Sequence, residues 1–366
     1  MDSPIRDYYN GKSILITGGT GFIGKVLCEK LLRSCPGVDN IFVLLRPRND
    51  KTAQQRLQED ILDSKVFTLN NNGLNHSKIV AVSGDVSTAG LGLSDEDRDR
   101  LISEVSVVFH SAASVKFHGP LNDFIVQNVC GTQAVMQLCS KMTKLEVCFV
   151  ISYLRWVDNV NGVAGALMLG ALGIARTMEV NCDAKADLIP VDMIANSLVV
   201  IGWHSGTHPN DKKQVIHLTS GVENPVTWGK FLDYSRVAAV KAPSIRMVRP
   251  LAKNPTSYRG PLGRINHVIT KYVSHILFAY FVDAIITLLG YKRIMVKVTN
   301  KMHRAFTVLE HFTNKEWVFH NTNYYEIHDK LSEEDQKLYF SDIRRLIIVV
   351  KHQTSLNKHS TLLIVA

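Results

Sequence analysis

The chain has 366 residues, of which 46% are hydrophobic, and a formal net charge of +9. This length and composition allow a large buried core, exclude a disordered chain, and predict one large domain with a smaller one. The six cysteines form no CxxC pair, so we expect no metal site, no disulfide framework and a reducing compartment. The N-terminal residues MDSPIRDYYNGK lack an apolar core behind a basic head, which argues against a cleaved secretory signal.

The first predicted element is a strand that runs into a glycine-rich turn. Residues 17–24 read TGGTGFIG and follow the apolar run 13–16 directly. A strand that breaks at Gly18, Gly21 and Gly24 and then opens a helix lets the backbone approach a pyrophosphate at the helix N-terminus. The segment therefore predicts dinucleotide binding, and a purely structural turn is the alternative.

The end of the second predicted strand bears on the choice of cofactor. NAD sites usually place an Asp or Glu there for the ribose 2′-hydroxyl, whereas this chain has Arg46 and Arg48. A guanidinium group binds phosphate bidentately and stays charged, so the pair predicts NADPH. The alternative is a solvated arginine pair in a loop.

Apolar runs and helix-like stretches alternate through the first half of the chain. The strand-like runs are 13–17, 41–45, 79–82, 105–110 and 147–152, and the helix-like stretches between them include 24–33 and 124–141. Strands joined by helical crossovers predict an α/β fold with a doubly wound parallel sheet, the NAD(P)-binding Rossmann arrangement. We assign residues 1–250 to this domain.

We assign residues 251–345 to a helical domain, which opens with a linker-like stretch at 251–262. A divergent tail follows at 346–366. The apolar stretch 275–289 contains Asp283 and is shorter than the roughly 20 residues of a spanning helix, so a buried or interfacial helix is expected. Between Lys241 and Lys330, fourteen Lys and Arg face five acids. This basic segment suits a phospholipid surface or the phosphates of coenzyme A rather than nucleic acid, and a merely solvated basic face is the alternative.

Several segments point to one family when they are taken together. With the glycine-rich turn they are LLRP (44–47), GDVS (84–87), VVFHSAASVKF (107–117), NVCGT (128–132), WVDNVNG (156–162), ADLIPVDMIAN (186–196), TSGVENPVTWGKF (219–231), AYFVD (279–283) and parts of 301–345. The chain resembles the alcohol-forming fatty acyl-CoA reductases, a branch of the extended short-chain dehydrogenase/reductases, over nearly its whole length.

The resemblance implies reduction of a long-chain fatty acyl-CoA to an aldehyde and then a primary alcohol, with NADPH as reductant. It also implies attachment to the cytosolic face of a peroxisomal or endoplasmic reticulum membrane, and it leaves homo-oligomerisation open. By motif, it assigns to the cofactor Thr17, Gly18, Gly21, Phe22, Ile23 and Gly24 (pyrophosphate), Arg46 (2′-phosphate), Asp85 and Val86 (adenine), Ser111, Ala112 and Ala113 (along the cofactor), and Asn128 (nicotinamide ribose). For Asn128 the alternative is a helix-interior polar residue with local hydrogen bonds.

The catalytic part of the family pattern is incomplete. Ser152, at the end of the fifth predicted strand, resembles the catalytic serine, but the Tyr-x-x-x-Lys helix that should follow is missing. Tyr153 has Val157 four residues on, and Tyr8 with Lys12 precedes the first strand, away from the carboxyl ends where ligands bind. We therefore expect impaired reductase activity, and an unpaired edge at the fifth strand with lower stability.

Two other functions and one origin of the junction stay open. A non-catalytic NADP(H)-binding or partner-binding protein would use the same scaffold. A nucleotide-sugar dehydrogenase would share the glycine motif but also needs the tyrosine and lysine, and the basic helical C-terminal region argues against it. An omitted exon would produce the same abrupt junction between Tyr153 and Leu154.

Overall fold

The computed structural model describes residues 3–48, 50–69, 73–114, 119–151, 163–211, 213, 215–251 and 260–346. The chain forms two compact units, each assembled from segments that are distant in sequence. The first unit comprises Met1–Leu154, Val191–Leu218 and Asn321–Asp342, and the second comprises Arg155–Pro190, Thr219–His320 and Ile343–Ala366.

A five-stranded parallel sheet forms the centre of the first unit. Its strands are β1 (Ser13–Thr17), β2 (Ile41–Leu45), β3 (Ile79–Ser83), β4 (Val105–His110) and β5 (Val147–Val150), in the order β3-β2-β1-β4-β5. All neighbouring strands are parallel. The order reverses between β1 and β4, and the crevice at the carboxyl ends of these strands is where such sheets bind ligands.

Helices account for most of the remaining described residues. In chain order they are α1 (Pro4–Tyr9), α2 (Phe22–Ser34), α3 (Ala53–Arg56), α4 (Lys65–Leu69), α5 (Asp95–Glu104), α6 (Leu121–Phe124), α7 (Gly131–Cys139), α8 (Val163–Ala171), α9 (Val191–Thr207), α10 (Trp228–Lys241), α11 (Gly260–Thr270), α12 (Phe278–Leu288), α13 (Met295–Thr313), α14 (Thr322–His328) and α15 (Glu333–Leu338). π-helical turns occupy Leu57–Leu62, Ile125–Cys130 and Lys271–Leu277.

Both faces of the sheet are covered, which confirms the predicted doubly wound architecture. Successive strand residues point to opposite faces. Ile14 and Ile16 accordingly pack on the side of α2 and α9, whereas Leu15 packs on the side of α5 and α7. Within the described residues β5 ends the sheet, and Val150 is 48% exposed there. This agrees with the edge expected from the sequence.

Contacts, rather than composition, set the unit boundaries, which differ from the predicted ones at 250 and 345. The segment Asn321–Asp342 returns to the first unit because its polar groups bond to residues there. The Asn196 amide donates to the Phe340 carbonyl at 2.7 Å, and the Ser197 hydroxyl donates to the Tyr324 phenol at 2.9 Å. A linker-like composition at 251–262 gives no information on such pairings.

The second unit contains a two-stranded antiparallel ribbon and helices. β6 (Lys185–Ala186) pairs with β7 (Val226–Thr227), and Trp228 and Phe231 are buried beside them. In α13, Met302 and Leu309 are buried.

One helix of the second unit is longer than the sequence suggested. α11, the π-helical turn at Lys271–Leu277 and α12 follow one another without a break, and we call Gly260–Leu288 the long helix. Its part Leu262–Leu288 has 27 residues and contains an 18-residue window with a mean hydropathy of 1.4, which suffices by length and composition to cross a membrane. The expectation of a helix too short to span was therefore wrong, because helical structure begins well before His275.

Candidate dinucleotide-binding site

The turn after β1 leaves room only for glycine at its key positions. Gly18 has a φ of +75°, and a Cβ there would lie 2.8 Å from the Ala112 nitrogen. A Cβ on Gly24 would lie 2.4 Å from the Gly18 carbonyl oxygen. The chain therefore needs glycine both for the left-handed backbone at Gly18 and for the close approach of α2 to the turn. This is the packing that brings a helix N-terminus close to a strand end.

The N-terminus of α2 is open to an anion. Gly21 is the N-cap, no side chain caps the helix, and no acidic residue stands in its first turn. The first backbone N–H groups of a helix lack partners inside the helix and attract negative charge. Gly21 is exposed, whereas the Ile23 side chain belongs to the core, so Ile23 can serve a ligand only through its backbone.

The end of β4 is bonded to the end of β1. The Ser111 hydroxyl and backbone nitrogen both donate to the Thr17 carbonyl, at 2.8 and 3.2 Å, and the Ala112 nitrogen donates to the Thr17 hydroxyl at 3.2 Å. Ala113 follows as an exposed residue. These bonds fix the glycine turn against the segment that was predicted to run along the cofactor.

His110 is a residue of this region to which the sequence analysis gave no role. Its Nδ1 lies 2.6 Å from the Thr17 hydroxyl, and its Nε2 lies 3.0 Å from the Thr132 hydroxyl. Burial lowers the pKa of this imidazole, which keeps the ring neutral near pH 7. The available signal was a titratable residue at the end of a fully buried strand whose other residues, apart from Ser106, are apolar.

Asn128 reaches across to the loop after β4. Its amide oxygen accepts from the Ser114 nitrogen at 2.6 Å, and its amide nitrogen donates to the Ser114 carbonyl at 3.0 Å. The side chain thus holds the backbone fourteen residues away, which is not the local bonding considered as the alternative. A place near the nicotinamide ribose stays a prediction.

The residues predicted around the adenosine end lie at the carboxyl ends of β2 and β3. The Arg46 guanidinium is half exposed and lies 3.7 Å from the Asp85 carboxylate, while Arg56 donates to the Arg46 carbonyl at 2.7 Å. The Asp85 carboxylate also accepts from the backbone and hydroxyl of Ser87. Arg46 and Asp85 therefore lie next to each other, and their roles at the adenosine end stay predictions.

Arg48 and Val86 have separate surroundings. Arg48 lines an open cleft of about 660 Å³ together with Lys51, Ser83 and Asp97. Val86 lies against Gly131, where a Cβ would come within 3.0 Å of the Val86 carbonyl. The two arginines thus offer two cationic positions near the end of β2.

Comparisons with known proteins agree with this geometry. Two family models described as male sterility protein match the chain, an NAD-binding model at residues 16–155 and the Sterile model at residues 274–349. Fatty acyl-CoA reductase 2 of Bos taurus is 30% identical, over 94% of this chain and 83% of the relative. The chain belongs to the fatty acyl-CoA reductase family. It is thus an oxidoreductase by family, with an NAD(P)-binding domain.

Two further relatives of this fatty acyl-CoA reductase family member are informative. Fatty acyl-CoA reductase 1 of Mus musculus is 29% identical, over 93% of this chain and 82% of the relative. That alignment extends over 435 positions although the chain has 366 residues, so the mouse protein has residues without a counterpart here. The reductase domain of a non-ribosomal peptide synthetase from Mycobacterium tuberculosis shares the fold, with a TM-score of 0.51, 16% identity, and 92% and 96% of the two chains covered.

The predicted catalytic position of this reductase family member cannot be placed. Ser152 and the junction between Tyr153 and Leu154 lie outside the described residues. Tyr8 and Lys12 are the one Tyr-x-x-x-Lys pair in the sequence. They precede β1, Lys12 forms an ion pair with Glu146, and burial raises the pKa of the Tyr8 phenol well above its ordinary range. That pair is unsuited to donating a proton at the cofactor site.

Proposed function

We propose that this chain binds NADPH in the site of a long-chain fatty acyl-CoA reductase but turns its substrate over slowly. The observation that carries the cofactor site is the glycine turn at Gly18 and Gly24, where a Cβ would collide with backbone, joined to the uncapped N-terminus of α2. The acyl-CoA substrate rests on the family, whose relatives are named fatty acyl-CoA reductases, and the long acyl chain is part of the proposal.

The preference for NADPH over NADH rests on Arg46. Its guanidinium is exposed on the rim of the site, next to the strand end where the adenosine ribose lies in such folds. A 2′-phosphate is an anion with several acceptor oxygens, and a guanidinium satisfies them with charge-assisted hydrogen bonds. Asp85 shares the guanidinium at 3.7 Å and keeps its side chain directed to this rim.

The residues present fit the cofactor but not the complete reaction. Bound NADPH would supply the hydride to the thioester carbonyl and then to the aldehyde. The protein must bind the developing oxyanion and deliver a proton to it. Ser152 is our candidate hydrogen-bond donor, whereas the phenol and ammonium pair that would deliver the proton is missing from the sequence.

The size of the defect follows from the missing proton donor. A positioned general acid contributes roughly 100-fold to 10,000-fold to a rate, and we expect a loss of that order. Two observations support a deletion at this point. The mouse relative has residues without a counterpart here, and the NAD-binding family match ends at residue 155.

The experiment combines a binding titration with a turnover assay. We expect saturable binding of NADPH, followed by fluorescence, and little fatty alcohol from hexadecanoyl-CoA. The matched comparison is a chimera in which the additional segment of the mouse relative is inserted between Tyr153 and Leu154. This chimera should form alcohol at the rate of a complete relative within experimental error. Alcohol formation by the unmodified chain at the chimera's rate would contradict the impairment, and a lack of NADPH binding would contradict the site.

The same experiment tests the non-catalytic alternative that the sequence left open. Saturable NADPH binding with no turnover, even in the chimera, would favour a non-catalytic NADP(H)-binding or partner-binding protein. Sequencing the transcript across the junction would show whether an exon has been omitted.

We also propose that the protein is attached to the cytosolic face of the peroxisomal or endoplasmic reticulum membrane. The basic character of residues 241–330 and the apolar long helix support this location. A fluorescent fusion should co-localise with markers of one of these membranes and stay accessible to protease in cells with a permeabilised plasma membrane.

A further inference from the structure

The long helix presents a continuous apolar face to solvent. Large apolar side chains recur along it at helical intervals and are 55–87% exposed. They are Leu262, Ile265, Ile269, Tyr272, Val273, Leu277, Tyr280, Phe281 and Leu288. Only 17% of the most apolar part of the helix is buried. At a rise of 1.5 Å per residue the strip is about 40 Å long, far larger than the apolar patches that soluble monomers usually expose.

The opposite face of the same helix is held inside the second unit by polar contacts. His267 lies 2.7 Å from the Thr177 hydroxyl, and the Arg176 nitrogen donates to His275 at 2.8 Å. The Asp283 carboxylate accepts from the backbone nitrogens of Ile294, Met295 and Val296, which tethers the helix to the start of α13. A helix that crossed a bilayer as an isolated span would first have to give up these contacts. The polar groups would then be unpaired in hydrocarbon, which is costly.

The exposed charges in the sequence segment that carries the apolar face have one sign. Asp283 is the one acidic residue in the sequence from Leu262 to Leu309, and it is buried. Just after the helix, Tyr291, Lys292, Arg293 and Ile294 are all exposed. An aromatic ring, two cations and an aliphatic side chain at the end of an apolar strip are typical of the interface between lipid headgroups and acyl chains.

We propose that the long helix lies in the plane of an anionic phospholipid bilayer, with its Leu277 and Phe281 face in the acyl region and Lys292 and Arg293 among the headgroups. This deepens the membrane location proposed above and specifies a monotopic attachment. A bilayer explains the length, the apolar character and the basic border of the face at once. A protein partner would explain the apolar strip but would not require that the segment carrying it lack exposed acids.

The test is flotation of the purified full chain with vesicles of phosphatidylcholine containing phosphatidylserine. The wild-type chain should float with them. The variant Leu277→Gln with Phe281→Gln should partition roughly 100-fold more weakly, because two large side chains no longer leave water. Leu69→Gln changes a leucine of the first unit that is even more exposed than Leu277, and this variant should bind like the wild type. Equal binding of the double variant and the wild type would overturn the proposal.

A charge test separates the basic border from the apolar strip. Lys292→Glu with Arg293→Glu should lose most binding to vesicles with phosphatidylserine and much less to pure phosphatidylcholine. Lys141→Glu with Lys144→Glu alters two exposed lysines of the first unit and should leave binding unchanged. An equal loss in the two charge variants would show non-specific attraction and would contradict a directed face.

The orientation of the helix needs its own measurement. In Phe281→Trp, brominated acyl chains should quench the indole fluorescence, and alkaline carbonate should release the protein from the vesicles. Retention of the protein on the vesicles in carbonate would indicate a spanning helix. If the wild-type chain bound no vesicles but formed a dimer that dissociates in the Leu277→Gln and Phe281→Gln variant, a second copy of the chain would be the occupant. Vesicle binding does not depend on turnover, so failure of the reductase proposal and failure of this one are distinguishable.

Discussion

The Thr17 hydroxyl lies 2.6 Å from Nδ1 of His110, and this contact fixes the proton positions in the polar network below the glycine turn. The Thr132 hydroxyl donates its proton to the Asn128 carbonyl at 2.7 Å, so it can only accept from Nε2 of His110. In the neutral ring Nδ1 is then the acceptor, and Thr17 donates to it. A directed chain of hydrogen bonds thus runs from the turn to α7.

Replacing His110 should damage both stability and cofactor binding. In His110→Phe the Thr17 hydroxyl loses the acceptor of its proton, whereas the Thr132 hydroxyl still donates to the Asn128 carbonyl. A buried donor without a partner costs about 1–3 kcal/mol. We expect the free energy of unfolding, from urea denaturation, to fall by that amount and the Kd for NADPH to rise. His320→Phe, at an exposed histidine, is the control. Unchanged stability in His110→Phe would show that the network contributes nothing.

The two effects of glycine at position 18 can be separated by a matched pair. Gly18→Ala combines a positive φ with a collision against the Ala112 nitrogen, whereas Gly73 has a φ of +84° and open space where its Cβ would be. Gly73→Ala should cost about 1 kcal/mol from backbone strain alone. Gly18→Ala should cost clearly more and abolish NADPH binding, as measured by urea denaturation and fluorescence titration. Equal losses of unfolding free energy in the two variants would show that the backbone around Gly18 accommodates an added methyl group.

Arg46 should affect NADPH and NADH differently. Loss of a charge-assisted contact to the 2′-phosphate in Arg46→Ala should raise the Kd for NADPH by roughly 10-fold to 100-fold and leave the Kd for NADH nearly unchanged. Arg304→Ala removes the same charge from an exposed site in the second unit and controls for net charge. The two dissociation constants, from parallel fluorescence titrations, decide the matter. A parallel loss for both cofactors would place Arg46 away from the 2′-phosphate.

Acid should destabilise the second unit through two histidines. Burial lowers the pKa of His275 to about 3 and that of His303 to about 4, and their rings lie 5.1 Å apart. In the unfolded chain these two histidines bind protons near pH 6.5, whereas in the folded chain they stay neutral at that pH. The two neutral histidines therefore contribute fully to the free energy of unfolding above pH 6.5, and this contribution is lost as the pH falls from 6.5 towards 4.

The loss can be measured by denaturation at several pH values. It amounts at most to about 1.4 kcal/mol per pH unit for each histidine, and less for the half-buried His303. His303→Gln should flatten the dependence of unfolding free energy on pH between 6.5 and 4, whereas His311→Gln, at an exposed histidine, should not. Parallel curves for wild type and His303→Gln would exclude this origin of acid sensitivity.

The sequence alone determined the parts whose signal is local. The apolar run into Thr17 to Gly24 specifies strand, turn and helix because the strand must be buried and only glycine fits the turn, and the alternating runs specify the parallel sheet.

Tertiary structure decided what depends on distant partners. The imidazole of His110 acquires its role from Thr17 and Thr132, and Asn128 binds a backbone segment outside its own helix. The assignment of Asn321–Asp342 to the first unit and the exposure of one face of the long helix also follow from packing. A sequence records which residues are apolar or charged, but burial and hydrogen bonding are properties of the neighbours that folding brings together.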